Sequence, residues 1–287
     1  MPRRRIADAP LSRLAVWARR CAFFSLAATI ISIVIVRSGF LDIVPALATF
    51  AGALVFAGFS IMLALGAFAV IWRHGADGLG HTVMALGISL GLLAYPAYLG
   101  IKAYRLPMIA DITTDPIDPP RFDVASRLRP RGSVDYAGLY AAEQQRIAYP
   151  EVEPLELTAN AQAAYDAALQ IVTKRKWRIV AERPPQAGRR DGQLEAVART
   201  PIMGFREDVS IRIRATRDGS QIDVRSASRY GRHDLGSNAS RIKSLLDDID
   251  DIVTAKQEKD ERAEKRKAQQ QKQTPAKGTQ PGKRPTT

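Results

Sequence analysis

The chain has 287 residues, a formal net charge of +13 and a single cysteine, Cys21. One cysteine excludes an intrachain disulfide, a Cys-rich zinc site and a Cys-x-x-Cys redox motif. Of the 42 Lys+Arg and 29 Asp+Glu residues, positions 102–255 hold 24 and 22, so the basic excess lies at the two ends of the chain. Membrane flanks and charged tails commonly carry such an excess, which argues against nucleic acid as a partner.

Three apolar runs predict a membrane region over residues 1–101, with transmembrane helices at about 14–36, 46–72 and 81–99. The first run follows six arginines. A signal peptide is the competing interpretation, but the run lacks a small-x-small cleavage site after it. The second span contains several small residues that favour close packing of the three helices against one another. These residues are Gly52, Ala53, Ala57, Gly58, Gly66 and Ala67.

The Lys/Arg content of the short flanks predicts the orientation. The N-terminal flank and the second loop hold seven basic residues, whereas the first loop and the segment after the third span hold three, Arg37, Lys102 and Arg105. This bias predicts a cytoplasmic N-terminus. Three crossings then place the soluble domain on the other side, which is the periplasm in a bacterium.

Residues 102–154 are rich in proline and predict an extended linker, because each proline removes a backbone donor and biases its predecessor away from the helical region. The segment contains four aspartates that raise the question of calcium: Asp111, Asp115, Asp118 and Asp123. Their spacing does not fit a twelve-residue EF-hand loop, and Asp-Pro pairs are common in turns. A metal site is therefore not predicted.

Residues 155–255 predict a small α+β domain, with an antiparallel sheet of about four strands and two helices on one face. The order is helix, four alternating strands, helix, with Thr158 as the predicted N-cap of the first helix. Polar side chains alternate with the apolar ones and predict a solvated second face, built from Glu195, Arg212, Arg214, Asp223 and Arg225. Residues 256–287 predict a basic disordered tail, after a few further turns of the last helix.

Three motifs in this order resemble the bacterial family called domain of unknown function fourteen-ninety-nine. They are DITTDPIDPPRF at 111–122, FREDVSIRIR at 205–214 and VRSASRYGRHDLGSNASRI at 224–242. The resemblance covers about residues 109–253. It implies a membrane-anchored or exported protein without an established activity, and it supplies no catalytic residue.

The stretch 225–242 contains the candidate site, because its arginines precede a predicted helix start, where free N–H groups favour anions. The predicted ligand-binding residues are Arg225, Arg229, Arg232, Asp234, Asn238 and Arg241. A purely structural role is the alternative: Asn238 or Ser237 caps the helix, and Asp234 pairs with an arginine. A hydrolase triad from a nearby serine, His233 and Asp234 is disfavoured, because adjacent His and Asp do not readily form the orienting hydrogen bond.

The sequence thus predicts a non-enzymatic, membrane-anchored module of the bacterial inner membrane that binds a component of the cell envelope. The predicted partners are the lipid bilayer and an anionic envelope component or another envelope protein, without a cofactor or metal. The basic tail adds attraction to anionic lipid or polymer. An enzyme acting on an anionic envelope component is the alternative.

Overall fold

A computed structural model describes residues 9–129, 138–186 and 191–273. Three long helices come first, and a mixed α/β region follows. The helices are α1 (Arg13–Ser38), α2 (Ile43–His74), α3 (Leu79–Arg105), α4 (Leu139–Ala148), α5 (Ala161–Lys174) and α6 (Ser237–Gln273). The strands are β1 (Asp111–Thr113), β2 (Leu155–Leu157), β3 (Arg178–Arg183), β4 (Gly192–Arg199), β5 (Arg206–Ala215) and β6 (Ser220–Ser228).

The helices α1, α2 and α3 are each long and apolar enough to span a membrane, as predicted. They pack through small side chains, which recur on α1 at alternating spacings of three and four residues: Ala15, Ala18, Ala22, Ser25, Thr29, Ser32 and Val36. Such spacing is typical of helices that cross at a shallow angle. Two hydroxyls bond between helices, Ser25 to the Ala53 carbonyl (2.7 Å) and Ser60 to the Ala18 carbonyl (2.9 Å).

The prediction for the second span is only partly confirmed. The alanines at 53, 57 and 67 are buried, but Gly52 is exposed and Gly58 and Gly66 are partly exposed. The packing seam on α2 therefore consists of alanine and serine, which still let the backbones approach closely.

The six strands form one antiparallel sheet in the order β1-β6-β5-β4-β3, with β2 also pairing β6. The predicted number, about four, is too small because β1 and β2 were missed. Each has only three residues, too few for an alternating pattern.

The turn between β5 and β6 requires glycine. Gly219 has a φ of 151° and approaches β2 so closely that a Cβ would lie 2.0 Å from the Leu157 carbonyl oxygen.

The helices α5 and α6 cover one face of the sheet, as predicted, and bury its apolar side chains. The main buried residues of that face are Leu194, Ala196, Ala198, Val209, Ile211, Ile213, Ile222 and Val224. At the start of α5, the side chain of Asn160 accepts from the Ala163 N–H (2.9 Å). Asn160 is therefore the N-cap, and the prediction of Thr158 is wrong by two residues.

The second face of the sheet is buried too, so the prediction of a solvated face is wrong. Residues 114–129, called here the covering segment, lie over it and include a 3-10 helix at Ala125–Leu128. Beneath the segment, Glu195 is 1% exposed, and Asp208 and Asp223 are 0% exposed. The stretch 102–154, predicted to be a linker, thus supplies the end of α3, an edge strand, this cover and α4.

The helix α6 continues to Gln273, so the further turns predicted for the start of the basic tail cover residues 256–273. The rest of that tail, residues 274–287, lies outside the described residues. In β3 the register shifts between Ile179 and Ala181, which interrupts the regular alternation predicted there.

The folded domain sits directly on one end of the membrane bundle. Arg37, in the last turn of α1, donates to two backbone carbonyls of the β4–β5 turn. His233 Nε2 lies 3.2 Å from the Ala103 carbonyl oxygen of α3. Leu106, the residue after α3, packs against the domain core. The loop between α1 and α2 and the end of α3 therefore lie on the same side as the domain.

Candidate functional site

The predicted site residues lie at the end of β6, in the β6–α6 loop and in the first turns of α6. Arg225 and Arg229 point to the face beneath the covering segment, called here the covered face. Asn238 and Arg241 lie on the other face, beside the helices. The structure therefore splits the predicted set between the two sides of the sheet. One continuous cluster of arginines is not formed.

Arg225 pairs with Asp111, the first residue of β1. Two guanidinium nitrogens lie 3.0 and 2.7 Å from the two carboxylate oxygens, which is a bidentate pair. The guanidinium also stacks on the Phe122 ring of the covering segment, at 4.7 Å from the centroid. Arg225 therefore fastens both the edge strand and the cover to the sheet.

Arg229 is 2% exposed and bonds to Asp208 of β5, at 2.9 and 2.7 Å from Oδ1. Arg129, the last residue of the covering segment, bonds to the other oxygen of the same carboxylate at 2.8 Å. Arg229 additionally donates to the Leu128 carbonyl (2.9 Å). Asp208 is thus the shared anion of two guanidiniums, a buried pairing that the sequence pattern did not reveal.

Arg241 and Asn238 hold the other side of the junction. Arg241 forms an ion pair with Glu207 and donates to the Asn238 side-chain oxygen at 2.8 Å. The Asn238 amide nitrogen donates to the Ala110 carbonyl (3.0 Å) and to the Ser228 hydroxyl (3.1 Å). These bonds tie α6 to the residue before β1 and to the end of β6.

Asp234 caps α6. Its two carboxylate oxygens accept the N–H groups of Gly236 (3.0 Å) and Asn238 (2.9 Å). Burial raises the pKa of Asp234 above its ordinary value, while these two N–H bonds act in the opposite direction. The N–H groups that would bind an external anion at the start of α6 are thus already occupied by the chain's own carboxylate.

Arg232 differs from the other predicted residues. It is exposed in the β6–α6 loop and forms no ion pair with any described residue. Among the four predicted arginines, the other three each have a carboxylate partner, Asp111, Asp208 or Glu207. Their arrangement matches the structural alternative, in which arginines and helix N–H groups stabilise the junction.

The residues considered for a hydrolase triad have other partners. His233 Nδ1 accepts the Leu235 N–H at 3.0 Å, so in the neutral ring Nε2 carries the proton and donates to the Ala103 carbonyl. Ser228 and Ser237 both donate to Glu207, at 3.1 and 3.0 Å. His233 therefore positions the loop on α3, and among the described residues it forms no hydrogen bond with Ser226, Ser228 or Ser237.

Glu195 is the most consequential polar residue of the covered face. Its carboxylate accepts three consecutive backbone N–H groups, from Asp123 (2.9 Å), Val124 (3.1 Å) and Ala125 (2.8 Å). These are the free donors at the start of the 3-10 helix, and a carboxylate satisfies them well. The alternation placed Glu195 on this face, but it did not indicate the partners of the carboxylate, which lie about 70 positions away in the chain.

A second ionic group lies further along the same face. Asp223 contacts Arg212 (3.2 Å) and Arg214 (2.8 Å), and Arg212 also reaches Asp115 and Asp118 at 3.0 and 2.7 Å. Burial raises the pKa of Asp223 above its ordinary value despite the two guanidiniums. The aspartates considered for calcium thus serve as partners of arginine, and the described residues contain no group of metal-ligand side chains.

Comparison with known families agrees with the motifs. Residues 111–249 match the family described as Protein of unknown function (DUF1499). The match confirms the resemblance predicted from the three motifs. It begins at β1 and ends within α6, so this DUF1499 region includes the covering segment as well as the sheet. The three apolar helices precede it. No curated protein and no solved structure matches the chain.

Proposed function

We propose that this protein is a membrane-anchored binding module that holds an anionic component of the bacterial cell envelope without turning it over. The DUF1499 domain is the rigid base on the membrane bundle. The binding element, called here the α6 arm, is residues 256–287, the distal part of α6 with the basic segment that follows it. The domain lies on the periplasmic side of the inner membrane.

The direction and length of α6 carry this proposal. The helix begins beside Leu106 at the bundle and contacts Thr158 through Gln257 (3.0 Å) at the opposite end of the sheet. Its last core residue is Val253. A helix rises 1.5 Å per residue, so the residues after Gln257, 258–273, extend about 24 Å beyond the domain, away from the bilayer.

The composition of this extension favours an anionic partner. Residues 256–273 contain seven Lys+Arg and four Asp+Glu, and residues 274–287 add Lys277, Lys283 and Arg284. The helix lacks an apolar stripe there, so it does not pack as a core element. Dispersed cations attract polyanions without sequence recognition, and the attraction weakens with salt. The arginines of the predicted site are less suited to this role, because they neutralise buried carboxylates.

A binding assay with isolated peptidoglycan sacculi tests the proposal. We expect the detergent-solubilised full chain to sediment with sacculi. A chain ending at Ala255 is expected to remain in the supernatant, because it loses the basic residues while it keeps the core. Neutralising the basic residues of the arm weakens binding, and neutralising its acidic residues strengthens it. The first variant changes Lys259, Arg262, Lys265 and Arg266 to Gln, and the second changes Glu258, Asp260, Glu261 and Glu264 to Gln. Equal sedimentation of both variants would contradict the proposal.

A reporter fusion tests the side of the membrane. Alkaline phosphatase joined at Thr287 is expected to be active, because the enzyme folds only after export. The matched fusion to a fluorescent protein that matures only in the cytoplasm is expected to be dark. The reverse pair of results places the domain in the cytoplasm and rules out an envelope ligand for the arm.

A further inference from the structure

Three arginines meet where the domain rests on the membrane bundle. Arg199 ends β4 and Arg206 begins β5, and the two are directly opposite in the register of the sheet. Like charges in opposite positions destabilise a strand pair. Arg37 of α1 adds a third guanidinium, since its Nη1 bonds to the carbonyl oxygens of the intervening turn, Pro201 (2.6 Å) and Ile202 (2.8 Å).

The contacts of these arginines bring them together without neutralising them. Arg199 donates to the Arg37 carbonyl oxygen at 3.4 Å. The Arg206 guanidinium is close to Gly39, since a Cβ added there would lie 3.5 Å from Nη2. All three side chains are exposed, and none forms an ion pair with a carboxylate of the described residues. Four arginines beneath or beside the covering segment, in contrast, each pair with a buried carboxylate: Arg212, Arg214, Arg225 and Arg229.

The level of the cluster is that of lipid headgroups. Arg37 lies in the last turn of α1, a helix of 26 residues and thus about 39 Å long, whereas the hydrocarbon core is about 30 Å thick. Phe40 is 87% exposed and Val44 is 74% exposed, and both follow Arg37 closely in the chain. Ile202, at the tip of the turn, is exposed as well. Apolar side chains beside guanidiniums suit the boundary between acyl chains and phosphates.

We propose that Arg37, Arg199 and Arg206 bind the phosphate group of an anionic phospholipid in the leaflet next to the domain. Guanidiniums bind phosphate oxygens in bidentate geometry, and an anion shared by Arg199 and Arg206 removes their mutual repulsion. The bound headgroup then connects α1 to the β4–β5 turn and fixes the domain on the bilayer. This site is separate from the α6 arm and does not depend on the proposed function.

Lipid retention by the full chain tests the site. The delipidated protein in neutral detergent is mixed with equal amounts of a phosphatidylglycerol and a phosphatidylcholine, and native mass spectrometry counts the lipids that remain bound. The wild type is expected to retain phosphatidylglycerol. The double variant Arg199→Gln/Arg206→Gln is expected to retain at least about tenfold less phosphatidylglycerol than the wild type, since each basic residue near a lipid surface contributes substantially to anion attraction. Arg199→Lys/Arg206→Lys keeps the charge but loses the bidentate geometry, and its retention is expected to lie between those of the wild type and the Gln variant.

The control removes the same charge elsewhere. Arg217→Gln/Lys243→Gln changes two exposed residues away from the turn, and its retention is expected to equal that of the wild type. Fluorescence of Trp177 and circular dichroism verify that each variant is folded. Equal loss of lipid retention in Arg199→Gln/Arg206→Gln and in this control overturns the proposal. The absence of a preference of the wild type for phosphatidylglycerol overturns it as well. Complete displacement by an equal concentration of glycerol phosphate also overturns it, because the ligand is then a free phosphate.

Discussion

The two faces of the sheet are both buried, but they are buried by different chemistry. On one face, α5 and α6 cover aliphatic side chains such as Ile211 and Val224. On the other face, the covering segment is held by carboxylates and guanidiniums, with Asp208 and Glu195 at their centre. Apolar burial tolerates small shifts, whereas a buried charge is stable only with its partners in place. The ionic face therefore specifies one position of the covering segment.

The largest expected effect breaks the ionic face at its shared anion. Asp208→Asn leaves Arg129 and Arg229 without their common carboxylate, and removing one partner of a buried ion pair costs about 3–5 kcal/mol. The free energy of unfolding is measured by urea titration of the detergent-solubilised chain. Trp177 fluorescence reports on the domain when Trp17 and Trp72 are replaced by Phe. The exposed residue Asp247, changed to Asn, is the control, and equal stability of both variants would show that the ion pairs contribute nothing.

The apolar face is tested with a cavity. Ile211→Ala removes a fully buried side chain and is expected to cost about 3 kcal/mol, the usual sum of lost transfer energy and an unfilled void. The same urea titration measures this cost, and Ile202→Ala, at an exposed position, is the control. A cost well below 1 kcal/mol would mean that α5 and α6 collapse onto the sheet and that the face is loosely packed.

A smaller and more local effect is expected at Glu195. Glu195→Gln keeps the shape but removes the charge that accepts three N–H groups, for a cost of about 1–3 kcal/mol. Hydrogen exchange of the backbone amides at 123–125 is expected to accelerate, while that of β5 changes little. Uniform acceleration across the sheet would instead indicate that the cover and the sheet unfold as one unit.

The smallest effect concerns the cap of α6 and depends on pH. Because burial raises the pKa of Asp234 above its ordinary 3.8, the folded state binds more protons than the unfolded state between these two pKa values. The contribution of Asp234 to the free energy of unfolding therefore decreases as pH rises through this window and is constant above it. Urea titration from pH 4 to pH 8 measures the free energy of unfolding of the wild type minus that of Asp234→Asn. An increase of this value with rising pH would contradict this assignment.

Much of the architecture followed from periodicity. The apolar runs predicted the three long helices, and the alternation assigned the polar residues of β4, β5 and β6 to one face, as the register confirms: Glu195, Arg212, Arg214, Asp223 and Arg225. The helix predicted after the last strand is the packed part of α6. These features depend on local spacing, which a single sequence displays directly.

The partners of the polar residues were decided only by the tertiary structure. Alternation placed Glu195, Asp223 and Arg225 on the second face, but it does not say whether water or protein covers that face. The cover comes from a proline-rich segment without a periodic pattern, and its contacts span about 70–110 positions in the chain. The sequence by itself determined that residues 225–242 join a strand to a helix, whereas the fold decided that three of their four arginines face carboxylates of the same chain. The physical reason is that an ion pair requires proximity in space, which spacing along the chain does not encode.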